Sequence, residues 1–196
     1  MTTAINICNQ AISEVGGEFI TDLNDAQREA TLCKTLYPAA LDHVLTAARW
    51  SFLGHRVILS PSANVPAFGF RNAFEIGGDI LEIYEVFDQV KYNPDLVQNN
   101  LYWQREGDYI LADADVIYVK CKIKKTDPSE FSPQFTQAVS AYLAHLLAMP
   151  MANNRALSEA KYMLFKDIVS ESANLDSMQG KTRKLRASRL TDVRRF

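Results

Sequence analysis

The amino-acid sequence predicts an α+β fold: a helical bundle formed by the N- and C-terminal helices, a small antiparallel β-sheet inserted between them, and a basic C-terminal arm. Apolar residues recur every three or four positions over residues 2–50 and 132–176, which is the period of a helix. Over residues 55–125 the period shifts toward two, which is typical of half-buried strands. The expected organisation is one domain, residues 1–179, followed by the arm, residues 180–196.

The first helix is predicted to begin after Thr2 or Thr3, because a threonine hydroxyl caps a helix N-terminus. Gly16-Gly17 ends it, since glycine adopts the left-handed conformation that terminates helices. Its apolar stripe is Ala4, Ile7, Ala11, Ile12 and Val15.

The second helix is predicted to begin at about Ala26 and to reach about Trp50. Pro38 lacks a backbone donor and clashes with the preceding turn, so we expect the helix to kink or restart there. The apolar stripe comprises Ala30, Cys33 or Lys34, Leu36, Tyr37, Leu41, Val44, Leu45 and Ala48.

The middle of the chain predicts strands at residues 56–60, 80–87 and 116–124, and a hairpin that turns at Glu106-Gly107-Asp108. In the last strand Lys120 and Lys122 alternate with apolar residues, so both lysines are expected on the polar face. By the same alternation, Glu82 and Glu85 are expected on opposite faces of their strand.

Two helices are predicted near the C-terminus. Pro133 suits a first helical turn, and Met149-Pro150 is expected to end that helix. The last helix is expected over residues 155–174, with an apolar stripe that includes Leu157, Met163, Leu164 and Ile168.

The net charge of −2 hides a strong asymmetry along the chain. Residues 180–196 carry a charge of +6, whereas the rest of the chain carries −8. Such asymmetry within one chain indicates binding partners. The candidate site residues are those of the arm: Lys181, Arg183, Lys184, Arg186, Arg189, Arg194, Arg195 and Phe196.

No motif for catalysis, a cofactor or a metal stands out. Cys8, Cys33 and Cys121 are far apart and form no zinc-type pair, so we expect free, reduced thiols. The three histidines show no metal or triad spacing, and no serine lies in a nucleophile elbow. Glu75, Asp79, Glu82 and Glu85 resemble a glycosidase cluster only loosely, and solvated or interfacial charge is the preferred interpretation.

The N-terminus lacks the basic start and apolar run of a signal peptide. No window approaches the length of about 20 apolar residues that a membrane helix needs. We therefore expect no membrane association. The 47% of apolar residues predicts a substantial core.

Six segments, in order, resemble the head-to-tail adaptors of short-tailed bacteriophages, the tail tubular protein A family. They are Tyr37-Pro38 with the helix that closes on Trp50-Ser51-Phe52; Arg56-Val57-Ile58-Leu59; Phe74 to Leu81; the hairpin of residues 102–113; Asp127-Pro128-Ser129-Glu130-Phe131; and the alanine-rich residues 141–148. The third segment departs from the family pattern, because Gly78 replaces the proline that usually precedes its aspartate, here Asp79.

The resemblance implies a structural virion protein without catalytic activity. Such adaptors form a ring, a dodecamer, beneath the portal protein, continue the DNA channel, and connect to a tail nozzle protein similar to tail tubular protein B. The implied location is the tail of the virion, and the host cytoplasm during assembly. In relatives the C-terminal segment grips the portal, which assigns that role here to the arm.

Other functions of the arm stay open at this point. Its cations would also contact the phosphates of channel DNA without sequence preference, or remain solvated. Leu185, Leu190, Val193 and Phe196 favour docking on a protein, because a phosphate-binding segment needs no apolar anchors. The alternatives for the whole chain are a sequence-independent DNA-binding protein and a tail-associated polysaccharide hydrolase.

Overall fold

The fold is α+β, as predicted. The computed structural model describes residues 2–89 and 101–178, with side chains described as far as Ser172. The helices of this part are α1 (Ala4–Val15), α2 (Arg28–Ala47), α3 (Pro133–Ala152) and α4 (Arg155–Met178). Its strands are β1 (Gly54–Leu59), β2 (Asn72–Glu75), β3 (Ile80–Phe87), β4 (Trp103–Glu106), β5 (Tyr109–Ala112) and β6 (Ile117–Ile123).

Helix α1 has the predicted ends. The Thr3 hydroxyl accepts a hydrogen bond from the Asn6 backbone N–H at 3.2 Å, which caps the first turn. Gly16 ends the helix with a φ of 83°, a conformation that glycine adopts without steric cost. The apolar stripe is buried as expected, except that Ala4 is only half-buried.

Neither internal proline ends its helix: Pro150 was predicted to end one, and Pro38 was predicted to kink or restart one. Helix α2 continues through Pro38 and ends at Ala47, short of Trp50, and α3 continues through Pro150 to Ala152. An internal proline costs about 3 kcal/mol, while each large apolar side chain that is buried returns about 1.5–3 kcal/mol. Burial on both sides of Pro38, and just before Pro150, therefore stabilises the continuous helices.

Helix α3 is central to the helical part of the molecule, because it packs against α1, α2 and α4. The Phe135 ring packs in T-shaped arrangements against Trp50 and Phe52, with centroid distances of 5.0 Å and 5.1 Å. The indole Nε1–H of Trp50 donates to the Val44 carbonyl at 2.8 Å. Trp50 and Phe52 thus belong to the helical core.

The chain leaves and re-enters the helical part at the same place. Phe52 precedes the strands and Phe131 follows them, and their ring centroids lie 6.2 Å apart. Both rings pack on Phe135. The strands therefore form a segment inserted between α2 and α3, and both ends of this segment lie at one aromatic cluster.

The strands form two three-stranded antiparallel sheets, rather than the single sheet expected. The first sheet has the order β1–β6–β3 and the second has the order β2–β5–β4. Strand β2 was not predicted, because its four residues are too few to establish an alternating pattern. Strand β3 and the hairpin of β4 and β5 match the prediction, and Gly107 supplies the positive φ of the turn.

The inner faces of the two sheets share a hydrophobic core of their own. Its buried members are Phe74, Ile76, Val86, Ile110, Ala112, Ala114, Ile117, Val119 and Cys121. Because both sheets contribute to this core, their outer faces point away from each other.

Candidate interaction surfaces

The predicted arm lies outside the described residues. This applies to each of its candidate residues: Lys181, Arg183, Lys184, Arg186, Arg189, Arg194, Arg195 and Phe196. Their role therefore stays a prediction. The described residues present two other surfaces, one on the outer face of each sheet.

The outer face of the first sheet carries two cross-strand rows that we call the basic face. One row is Arg56, Lys120 and Glu85, and the other is Ile58, Tyr118 and Phe87. Lys120 Nζ lies 2.5 Å from Glu85 and 5.0 Å from the centroid of the Phe87 ring. Arg56 is exposed and forms no ion pair within the described part of the chain. Ile58 is 64% exposed, so the basic face combines free positive charge with apolar area.

Lys122, in the next row of the same strand, is buried instead of solvated. Its side chain is only 2% exposed, and Nζ donates to the Ala48 carbonyl at 2.7 Å. Ala48 is the C-cap of α2, where carbonyls lack helical partners and the helix dipole attracts a cation. Burial lowers the pKa of Lys122, and the Glu82 carboxylate at 4.0 Å opposes that shift. Lys122 thus joins the end of α2 to the first sheet.

Strict alternation in β6 predicted a polar face for Lys122, and the prediction was correct only for the direction of the side chain. The helices cover this end of the sheet, so the same face is buried at Lys122 and open at Lys120. The sequence showed that Lys120 and Lys122 lie on one face of the strand. It could not show that the end of α2 covers Lys122, because that is a long-range contact that no local pattern reveals.

Glu82 and Glu85 lie on the same face of β3, which corrects the expectation of opposite faces. Glu82 pairs with Lys122 in the strand register, and Glu85 pairs with Lys120. Bulges between Ile80 and Glu82, and between Ile83 and Glu85, insert extra residues and change the alternation. Each glutamate faces a lysine, which makes the pair a charge ladder between two strands.

The outer face of the second sheet forms the floor of a groove of about 410 Å³, which we call the aromatic groove. The floor comprises Ala73, Leu111 and Gln104 from one cross-strand row, and Tyr109 and Glu106 from the next. Glu75 pairs with Tyr109 in that second row, at the border of the groove. The loop of residues 64–70 forms its wall. The Asn64 side-chain amide donates to the Tyr109 hydroxyl at 2.8 Å, which holds this loop over the sheet.

Aromatic side chains are unusually exposed at the aromatic groove. Phe68 is 89% exposed and Tyr102 is 75% exposed. The rings of Tyr102 and Phe70 stack, with centroids 5.5 Å apart. These exposed apolar groups, together with Val65, form one apolar patch on the surface. The neighbouring Trp103 differs from Tyr102, since Trp103 packs on the sheet core.

Negative charge borders the aromatic groove. Glu75 and Glu106 flank Tyr109 on the same face, and both are exposed. No cation of the described residues forms an ion pair with either glutamate. The two outer faces therefore differ in sign, because free arginine lies on one and free carboxylates lie on the other.

His43, His145 and the three cysteines take part in packing, whereas His55 is exposed. His43 stacks on Tyr142 at 4.2 Å, and His145 Nδ1 lies 2.9 Å from Ser158 Oγ. Cys8 and Cys33 are both buried, and their mutual hydrogen bond and burial raise the pKa of the Cys8 thiol. Over residues 2–89 and 101–172, no group of three potential metal ligands comes together.

Comparison with known proteins adds no relationship. No family model matches the chain, and no curated protein matches it. Among the helices of the described residues, none has both the length and the apolar character that a membrane crossing requires.

Proposed function

We propose that this chain is a head-to-tail adaptor of a bacteriophage virion, which assembles as a ring on the portal, continues the DNA channel and connects to the tail nozzle. In this proposal the protein acts through assembly and has no catalytic activity. It occupies the virion tail, after folding in the host cytoplasm. The helical bundle and the basic arm are the parts of the predicted architecture that the proposal requires.

The observation that carries the proposal is where the adaptor-like segments fall in the fold. Tyr37-Pro38 lies within α2, at the centre of a buried stripe. Trp50 and Phe52 close the helical core on Phe135. These are packing roles, and they give a physical reason for residues that otherwise carry no chemistry.

Three further segments coincide with defined elements of the fold. Arg56-Val57-Ile58-Leu59 is the body of β1, and the Asp127 carboxylate accepts from the Ser129 N–H at 2.9 Å in the turn before α3. The alanine-rich residues 141–148 form the part of α3 that is buried among the other helices. Small side chains there allow close helix packing.

The exposed groups support an assembly role. Phe68 and Tyr102 expose large rings on the second sheet, and Ile58 exposes an apolar side chain on the first. A protein that works by assembly needs such surfaces, because burying them provides the free energy of association. Many weak contacts around a ring combine into one stable complex.

The test is the mass of the purified protein by light scattering, alone and with a purified portal ring added. We expect the chain to join the large complex when portal is present. Deletion of residues 180–196 should abolish binding and leave the circular dichroism spectrum of the body unchanged, because the apolar and basic arm supplies the docking contacts. A matched control, Lys166→Glu on the exposed side of α4, should bind as the wild type does.

A further measurement separates docking from DNA binding. Duplex DNA without portal should leave the mass of the protein unchanged at physiological salt. Salt-sensitive binding to duplex DNA, lost on deletion of the arm, would instead support the DNA-binding alternative. Full portal binding by the truncated chain would remove the arm from the docking role.

A further inference from the structure

The outer faces of the two sheets are opposite surfaces of one small sandwich. The inner residues of both sheets meet in one core, which includes Phe74 and Ile110 from the second sheet and Val86 and Val119 from the first. The basic face and the aromatic groove therefore point in roughly opposite directions. Each protein copy presents both surfaces at once.

The two surfaces are complementary in charge. On the basic face, Arg56 has no described acidic partner. Arg49, with a side chain 72% exposed, lies above the Tyr84 ring and pairs with the Glu82 carboxylate at 4.0 Å. On the aromatic groove, Glu75 and Glu106 have no described cationic partner. Opposite charges across an interface fix its orientation and exclude arrangements that oppose like charges.

The two surfaces also both contain apolar area. Ile58, with Tyr118 and Phe87 beside it, gives the basic face an apolar row. Phe68 and the stacked Phe70 and Tyr102 give the aromatic groove its wall. An apolar centre with charges at its border is the usual composition of a protein–protein interface.

We propose that the basic face of one copy of this chain packs into the aromatic groove of the next copy. This inference rests on the proposed ring, for which it names the two surfaces that meet. Arg56 of one copy lies against Glu106 and Glu75 of its neighbour, and Ile58 packs on Phe68. The occupant of each surface is therefore a second copy of this chain.

A head-to-tail contact follows from the charges. If two basic faces met, Arg56 and Lys120 of one copy would face the same cations of the other and repel them. If two aromatic grooves met, the carboxylates of Glu75 and Glu106 would repel each other in the same way. A two-fold dimer through either surface is thus disfavoured. Contacts between different surfaces repeat from copy to copy, and they close into a ring when the rotation between copies allows it.

The experiment measures self-association of the full-length chain by sedimentation velocity at low ionic strength, over a concentration series and again on an added portal ring. Arg56→Glu and Glu106→Arg should each weaken association by about tenfold, because each opposes like charges. The double variant Arg56→Glu/Glu106→Arg should restore association, since it exchanges the signs of the two surfaces. Both changed residues are exposed, and circular dichroism should show a native spectrum for all three variants.

A second pair of variants examines the apolar contact. Phe68→Ser should weaken association, whereas Met163→Ser, an exposed apolar residue on α4, should not. Higher salt should weaken the wild type and should strengthen each single charge variant relative to it, because screening reduces attraction and repulsion alike.

The outcomes separate this inference from the proposed function. If the wild type assembles on portal and the Arg56, Glu106 and Phe68 variants assemble equally well, the inference is wrong and the proposed function stands. If the variants change self-association as expected but the wild type does not bind the portal ring, the inference stands and the proposed function fails. A double variant weaker than both single variants, or a wild type that associates under neither condition, overturns the inference.

Discussion

The helical core and the sheet core of this molecule differ in size and in how they are built. Among the described residues, 25 are buried in the helical core, against nine in the sheet core. The helical core combines four helices with the aromatic cluster around Phe135, whereas the sheet core lies between two short sheets. The larger core makes the helices the more stable part of the fold. The two short sheets bury less apolar area, so they are less stable on their own.

A few contacts link the two cores. Leu81 of β3 packs against the helical core, the Lys122 ammonium of β6 binds the carbonyl at the end of α2, and Lys124 pairs with Asp42 of α2. None of these contacts is large compared with the cores themselves. We therefore expect the sheets to open separately from the helices under mild stress.

The largest effect is expected for Phe135→Ala, in the helical core. Phe135 is fully buried and contacts Trp50, Phe52 and Phe131, so truncation leaves a cavity at the aromatic junction. The free energy of unfolding should fall by about 3–5 kcal/mol. Urea denaturation followed by circular dichroism measures this loss. A loss below about 1 kcal/mol, far under that expected range, would contradict the central place given to α3.

Phe74→Ala, in the sheet core, should act more locally. Phe74 is fully buried between the sheets, and its truncation should cost about 3 kcal/mol of local stability. Hydrogen exchange should speed up at the amides of β2, β5 and β6 and stay slow in α3. Equal acceleration in helices and strands would mean that the two cores unfold as one unit.

Lys122→Met should have an intermediate effect, because it removes the buried hydrogen bond that joins the first sheet to the end of α2. The Ala48 carbonyl loses its donor, which should cost about 1–3 kcal/mol. Lys124→Met is the control: Lys124 pairs with Asp42 at 2.6 Å in a more exposed setting, and its loss should cost at most about 1 kcal/mol. Thermal denaturation at neutral pH compares the two.

The Lys122 variant also has a pH signature. Burial holds the pKa of Lys122 below its ordinary value of 10.5, so between the lowered pKa and 10.5 the unfolded chain binds more protons than the folded chain. The contribution of this group to stability therefore rises with pH in that window. The wild type should gain stability relative to Lys122→Met as the pH increases there. A flat difference would show that the ammonium is well solvated.

The smallest effect is expected for Tyr37→Phe. The Tyr37 hydroxyl is buried and has no hydrogen-bond partner in the described part of the chain. Its removal should change the stability at pH 7 by at most about 1 kcal/mol. Burial raises the pKa of Tyr37 to about 12. The wild type should therefore lose stability relative to Tyr37→Phe as the pH rises from 10 toward 12, because only the unfolded chain ionises.

Local patterns predicted the elements whose signals are local. The cap at Thr3, the glycine end at Gly16, the turn at Gly107 and the full extent of β3 follow from side-chain and backbone preferences of a few residues. The α+β class followed from the change of period along the chain. These features need no knowledge of tertiary contacts.

Features that depend on tertiary contacts were missed. Pro38 and Pro150 stay helical because distant residues bury the turns around them. Lys122 is buried because the end of α2 happens to cover its row of the sheet, and the bulges of β3 place Glu82 and Glu85 together. The exposure of the Phe68 ring was also missed, since exposure depends on which side chains the rest of the fold covers.

The contact between Phe52 and Phe131 has an evolutionary consequence. Because the chain departs from the helices and returns to them at a single point, the fold is nested, with one unit inserted into a surface turn of another. Insertions whose ends meet can change in length or sequence without shifting the host. The sheets can thus diverge to recognise new neighbours while the helices keep their register, which makes the strand-bearing unit the part of the molecule free to acquire specificity.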